Sequence, residues 1–418
     1  MKKYNQRISD AELRRKLKAS GGLLIRGAKA CGKTESAKQL AKSVLFVDQD
    51  PQVDGLMSSA PKRLLSGDTP RLIDEWQAQP QLWNYIRHEI DARKKNGQFI
   101  LTGSANPVES VKMHSGAGRF TVVDMRTMSW QELGLSSGKI SLGSLFKSRK
   151  INITDTPTDL EFIVNKIVIG GFPSLLGKNS AQALDLNRAY IDLLAEVDMT
   201  RFSNVRRDPL KIRALLRSLA RNTATTADIS ALENDIHAGE RNRITRPTIY
   251  DYLDSLERLM IIENQPAWNT HLRSSHALRK APKRHFTDVA LAVAALGADE
   301  TALLNDTKFT GFLFESLVVH DLRIYAQAND AKVFHYRDSS GLEIDSIVQK
   351  YNGDWCAFEI KLGVGQIDEA AAHLHAFTAK LDFQKVNPPK SLNIITGTGI
   401  SYTRNDGINV ISLASLGV

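Results

Sequence analysis

The segment GAKACGKT at 27–34 constrains the fold more than any other stretch of this 418-residue chain. It fits G-x-x-x-x-G-K-[ST] without a gap, follows the apolar run GLLIR and precedes the helix-like ESAKQLAKS. A strand entering such a loop and a helix leaving it is the setting in which backbone N–H groups wrap phosphates. Gly27 and Gly32 let the main chain approach the ligand, with Ala28, Lys29, Ala30 and Cys31 between them contributing amides. Lys33 supplies a point charge to the outer phosphates, and Thr34 offers its hydroxyl to Mg²⁺.

GLLIRG, VLFVDQD, RLIDEW, QFILTGS and FTVVDM are short apolar runs separated by helical stretches. Residues 1–135 are therefore expected to form a parallel α/β sheet. The strand in PRLIDEW ends in Asp74-Glu75. Behind a phosphate loop, Asp74 is expected to hold Mg²⁺, and Glu75 to orient or deprotonate the attacking water. QFILTGS ends in polar residues, so Thr102 or Ser104 could sense a γ-phosphate. In HSGAGR, Arg119 either reaches a neighbouring subunit's nucleotide or is an exposed loop arginine.

These pieces resemble the AAA+ ATPases, and most closely a bacterial and archaeal group that joins an AAA+ core to a C-terminal nuclease-like domain. The residues that carry the resemblance begin with YNQR at 4–7, GAKACGKT, LIDEW, ILTGS and GAGR at 116–119. They continue through MRTMSWQEL at 125–133, GGFPSLL at 170–176, TRPTIYDYLDSLERLMIIE and GFLFESLVVHDLR, so nearly the whole chain is covered. The resemblance implies ATP and Mg²⁺ as cofactors, Ser104 as a sensor, Arg119 as a finger acting in trans, and a ring or other homo-oligomer.

Charge is unevenly spread. The formal net charge is +9, and residues 201–285 hold sixteen Lys/Arg against nine Asp/Glu. Such a surplus reads as a footprint for a polyanion or as a solvated basic surface. Around 222–263 the pattern suggests a helix-turn-helix and wing. Thr226 or Asp228 would cap the first helix and Thr245 the second, with Pro247 in its first turn. Ile249, Leu253, Leu256 and Leu259 make an apolar stripe, leaving Arg241, Arg243, Arg246 and Arg258 for phosphates, DNA in preference to RNA. HLRSSHALRKAPKRH at 271–285 reads as a basic linker. Two cysteines argue against a disulfide framework or a cysteine zinc site. The longest apolar run is ten residues, too short to cross a bilayer, and the charged N-terminus lacks a signal-peptide core. A cytoplasmic location is expected.

WCAFEIKLG at 355–363 raises a different question. As a strand it places Cys356, Phe358, Ile360 and Leu362 on one face and Trp355, Ala357, Glu359 and Lys361 on the other. The second face is either wet or part of a site. Upstream, GLEIDSIVQ carries Asp345, and Glu315 interrupts the apolar stripe of GFLFESLVV. A two-residue turn at Asn352-Gly353 pairs Asp345 with Ile360 and separates the acids. A three-residue loop with a glycine bulge pairs Asp345 with Lys361 and gathers Asp345, Glu359 and Lys361 on one face. An odd loop or a bulge is therefore expected. If the groups converge, Asp345 and Glu359 would bind Mg²⁺ or Mn²⁺ and Lys361 would steady the nucleophile, with Glu315 and Gln366 in support. The pattern resembles the PD-(D/E)XK nuclease core.

The expected architecture is a P-loop AAA+ domain at 1–135, a helical connector at 136–205, a winged helix at 206–280 and an α/β restriction-endonuclease-like domain at 281–418. The expected function is ATP hydrolysis coupled to nucleic-acid binding, with metal-dependent cleavage as an extension. The alternative is a nucleotide-gated switch or scaffold that cuts nothing.

Overall fold

The five apolar runs of the N-terminal region become five parallel strands: Gly22–Arg26 (β1), Ser43–Phe46 (β2), Arg71–Asp74 (β3), Phe99–Gly103 (β4) and Phe120–Asp124 (β5). The computed structural model describes residues 4–103, 116–148, 150–151, 158–201, 207–239, 244–269 and 281–418. The chain divides into two units, one of residues 1–127 with 172–174 and 256–261, the other of the remainder.

In the first unit the strand order is β2-β3-β4-β1-β5. Alternate side chains enter two separate cores. Leu24, Leu45, Ile73 and Leu101 pack with Trp76, Trp83 and Ile86, while Leu23, Ile25, Leu72, Ile100 and Val123 pack with Leu13 and Leu17. Burial on both faces is why these strands read as unbroken apolar runs. Because β1 lies beside β4 and β4 beside β3, their carboxyl ends open at one edge of the sheet. That edge is where ligands bind in open parallel sheets.

The second unit begins with a short strand, Ile140–Ser141 (β6), and a run of helices. Helix Ser180–Leu193 starts with a capping box formed by Asn179 and Gln182. Helix Pro209–Arg221 starts at the Asp208 cap. Helix Ile229–Gly239 follows, where Asp228 Oδ1 accepts from the Ala231 amide at 2.8 Å, so Asp228 rather than Thr226 caps it. Helix Arg246–Arg258 comes next, with Ile249, Leu253, Leu256 and Leu259 all buried as the stripe predicts. Strands Ile262–Gln265 (β7) and Lys283–Phe286 (β8) then pair antiparallel. The stretch read as a basic linker therefore ends in a strand, which pairs with a strand from the other side of the expected boundary at 280. Arg284 on β8 is tied to the turn between two of the helices: its Nη1 donates to Ala227 O at 2.6 Å, and its carbonyl accepts from Ala224 N at 3.0 Å.

The C-terminal sheet is mixed. It comprises Ala331–Arg337 (β9), Glu343–Lys350 (β10), Trp355–Lys361 (β11), Ser391–Thr396 (β12), Tyr402–Thr403 (β13) and Asn409–Ser412 (β14), in the order β13-β14-β12-β11-β10-β9. A final strand, Leu416–Gly417 (β15), pairs with β6. Helix Thr307–Ala328 lies against β9, β10 and β11, and helix Ile367–Ala379 packs Ala370, Leu374 and Phe377 onto Trp355, Ala357 and Ile394. The β11 face carrying Glu359 is thus not wet. Among the described residues no helix is long and apolar enough to cross a membrane.

Candidate functional site

The phosphate loop leaves β1 at Arg26 and re-enters a helix at Lys33–Lys38. A Cβ on Gly27 would stand 2.2 Å from the Met125 carbonyl oxygen, so only glycine lets the loop pass that close. Gly32 has φ 105°, a conformation that L side chains resist. Cys31 is buried and its Sγ donates to Met125 O at 3.4 Å. Lys33 is buried too, its ammonium held by the carbonyls of Gly27 and Ala28 at 2.8 Å each. Lys29 and Ala30 face outward.

Thr34 Oγ1 donates to Asp74 Oδ1 at 2.8 Å, which joins the loop to the end of β3. Thr102, the register partner of Asp74 on β4, donates to the same oxygen. Thr102 is therefore one of the two expected sensors that reaches the acidic pair; Ser104 lies outside the described residues. A hydroxyl and a carboxylate meeting beside a glycine-bounded loop are the hard-oxygen set that suits Mg²⁺ on a nucleotide. Glu75 follows in left-handed backbone, φ 50°. Burial lifts its carboxyl above the usual range, tempered by a hydrogen bond from Gln77 and by the charge of Lys33.

Sequence reasoning gave no role to Arg7, which proves to brace the loop. Its guanidinium donates to Cys31 O at 2.9 Å and to the Arg126 and Thr127 carbonyls at 2.7 and 3.0 Å. Nothing but its place in YNQR marked it. Arg119 lies elsewhere. It precedes Phe120, which pairs with Gly22 at the start of β1, whereas the phosphate loop follows the far end of that strand. Five residues of strand separate those edges, about 17 Å. Arg119 itself pairs with Asp91 at 2.7 Å.

In the second unit the arginines of the helical region are largely engaged with acids. Arg207 pairs with Asp251, Arg213 with Asp192 and Glu196, Arg221 with Asp235, and Arg246 with Glu233 at 2.7 Å. Arg246 was expected to be left for phosphates, yet Glu233 on the preceding helix already meets it. Arg258, at the end of its helix and within the first unit, also has a partner. Arg241 and Arg243 lie outside the described residues.

The β10–β11 hairpin has the odd loop that the parity argument requires. Ser346 pairs with Phe358 and Gln349 with Trp355, so Tyr351, Asn352 and Gly353 form a three-residue loop with Gly353 at φ 89°. The ladder stops at Ser346, one residue short of Asp345. β10 also shifts register against β9 between Ile344 and Ile347, next to Asp345.

Glu359 is only 2% exposed, and its carboxylate meets Lys361 Nζ at 2.8 Å; Asp345 lies 3.9 Å from the same ammonium. Asp345 Oδ2 also accepts from Ile360 N at 2.8 Å. The unforeseen member is Lys283 on β8. Its Nζ stands 2.6 Å from Glu315 and 3.5 Å from Asp345, buried at 3% exposure. Burial pulls the Lys283 ammonium down, but the carboxylates of Glu315 and Asp345 outweigh it and hold it above the usual lysine range. Burial and the charge of Asp345 push Glu359 up to about 8, against the pull of Lys361. Glu315, Asp345, Lys283, Lys361 and Gln366 border one cleft of about 490 Å³.

This set does not fit the metal pair expected of Asp345 and Glu359. The two carboxylates each face a lysine, and among the described residues no group of three or more His, Cys, Asp or Glu is placed to hold a metal ion.

His285 and Asp288, to which the sequence gave no chemistry, are structural. Asp288 caps helix Val289–Leu296 and accepts from Gly171 N at 2.8 Å. His285 is fully buried between Gln265 Oε1 and Ser316 Oγ, at 2.9 and 3.1 Å. Burial, then the charges of Arg323 and Lys283 and the nearby His335, hold its pKa well below the ordinary value. The folded state therefore keeps it neutral, while the unfolded chain takes up a proton below about pH 6.5. Its contribution is present above that pH and lost as pH falls, with a slope of up to about 1.4 kcal/mol per pH unit. Denaturant titrations at pH 5.5 and 7.5 should show a smaller pH effect in His285→Gln than in wild type.

Comparison with known proteins agrees with the N-terminal geometry. Residues 20–134 match the profile of an AAA domain, residues 161–302 that of a domain of unknown function (DUF8612) and residues 310–416 that of another (DUF4143). The glycine-bounded loop and the five-stranded parallel sheet both fall within the residues that match the AAA domain profile. The chain is similar to the uncharacterized protein Rv2008c of Mycobacterium tuberculosis and to Mb2031c of Mycobacterium bovis. Each is 23% identical over 361 residues, 85% of this chain and 74% of the relative. Among solved structures it is similar to the Walker-type ATPase PABY2304 of Pyrococcus abyssi, with 12% identity, a TM-score of 0.43 and coverage of 69% of this chain and 94% of that one. It is also similar to the Aeropyrum pernix ORC1 protein in complex with DNA, with 14% identity, a TM-score of 0.23 and coverage of 71% and 94%.

Proposed function

We propose that this chain is an AAA+ protein that binds and hydrolyses ATP and uses its nucleotide state to control nucleic-acid binding through a winged helix. The observation that carries the ATPase reading is the shared Asp74 oxygen, met by Thr34 from the loop and Thr102 from β4 with Glu75 next in sequence. Mg²⁺ held at Thr34 and Asp74 would neutralise charge developing on the phosphates. Lys33 supplies a second positive charge beside them, and Glu75, raised by burial, is suited to accept a proton from water. The distance of Arg119 from its own loop supports the reading that it serves a neighbouring subunit's nucleotide. That supports action as a homo-oligomer.

Three helices followed by the β7–β8 hairpin support a winged helix, and the surplus of Lys/Arg in 201–285 supports nucleic acid, DNA in preference to RNA, as its ligand. The test is fluorescence anisotropy of labelled DNA across salt concentrations, with ATP analogue and with ADP. Log affinity should fall with log salt at roughly −0.9 per phosphate neutralised. A flat salt response, or equal affinity in both nucleotide states, would remove the nucleic-acid part. The engagement of the helical arginines with acids supports a second reading, in which the helices and the C-terminal PD-(D/E)XK-like fold form a nucleotide-gated scaffold that binds a protein and cuts nothing.

A further inference from the structure

We propose that Lys283 is a built-in counter-ion: its ammonium stands between Glu315 and Asp345 where a divalent cation would be held, so the C-terminal cleft takes no metal ion. The inference concerns the second unit alone and does not rest on the ATPase reading.

Geometry carries it. Lys283 comes from a strand whose position is fixed by its neighbours. Its partner strand β7 contributes Gln265, fully buried, whose Nε2 donates to Phe334 O and Asp345 O at 2.9 Å each and to Ser346 Oγ at 3.1 Å. The backbone beneath the ammonium is thus pinned to the strand that bears Asp345. An ammonium so deeply buried persists only where carboxylates meet it.

The remaining candidate ligand is engaged as well, since Glu359 faces Lys361 at 2.8 Å. Mg²⁺ and Mn²⁺ need oxygens that close to little more than 2 Å around a common centre. Carboxylates spaced around an Nζ do not offer that centre. Removal of Lys283 leaves Glu315, Asp345 and Glu359 with Lys361 alone, the excess of acid that draws in a hard cation. Lys283→Ala should therefore create a site that the wild type lacks.

The measurement is Mn²⁺ binding to the full chain by electron paramagnetic resonance, without nucleotide so that the phosphate loop contributes nothing. Wild type and Asp345→Asn should bind Mn²⁺ equally weakly. Lys283→Ala should bind at least tenfold more tightly than wild type, and Lys283→Ala/Glu315→Gln should lose the gain. A wild-type site that disappears in Asp345→Asn would overturn the proposal, as would a folded Lys283→Ala variant with no gain. If Lys283→Ala does not fold, the wild type against Asp345→Asn decides on its own.

Discussion

Glu75→Gln should leave nucleotide affinity within a few-fold of wild type while slowing steady-state ATP hydrolysis by about a hundredfold or more, the usual effect of losing a positioned general base. The substitution keeps the size of the side chain and the left-handed backbone that presents it, and removes only the capacity to accept a proton. Lys33→Ala should behave differently. That ammonium is held by the carbonyls of Gly27 and Ala28, so its removal takes away both a charge for the phosphates and an internal tie of the loop. Nucleotide binding and hydrolysis should fall together. Radiolabelled nucleotide binding and phosphate release on the two variants separate the outcomes. Hydrolysis insensitive to both substitutions would place the activity elsewhere.

The second large effect is on stability. Glu315→Ala should destabilise the second unit by about 3–5 kcal/mol, because it strips a buried ammonium of its nearest partner. Lys283→Met/Glu315→Leu should cost far less, since replacing both members of a buried ion pair with apolar groups is often close to neutral. The double-mutant cycle by denaturant unfolding thus returns a coupling of several kcal/mol for this contact. Additive single-mutant effects would mean that the two side chains do not depend on each other.

What the sequence made legible follows from how locally each feature is determined. β1 to β5 were visible because strands buried on both faces leave little room for polar residues. The odd loop at Tyr351–Gly353 followed from parity, which needs only a count of residues between two acids. Which three residues form the loop did not, since loops at 351–353 and at 352–354 satisfy the same parity. β13 and β14 were missed because their polar residues look like a surface. Asn409 is buried and hydrogen-bonds Asn393 Oδ1 at 3.0 Å, and Ser412 N donates to Ser401 Oγ at 3.0 Å, partnerships that no local pattern announces. Lys283 was hidden for the same reason. It sits among Arg, Lys and His in sequence, and only the pairing of β8 with β7 turns it inward.

That strand has an uneven allegiance. Arg284 grips the turn at Ala224–Ala227 while the adjacent Lys283 neutralises acids of the cleft. The helices therefore cannot be exchanged as a cassette that ends after β8 without a replacement for the charge one residue upstream of Arg284. A fragment begun at Val289 would inherit three carboxylates and half of their lysines, and it should be a poorer folder than one that keeps the preceding six residues.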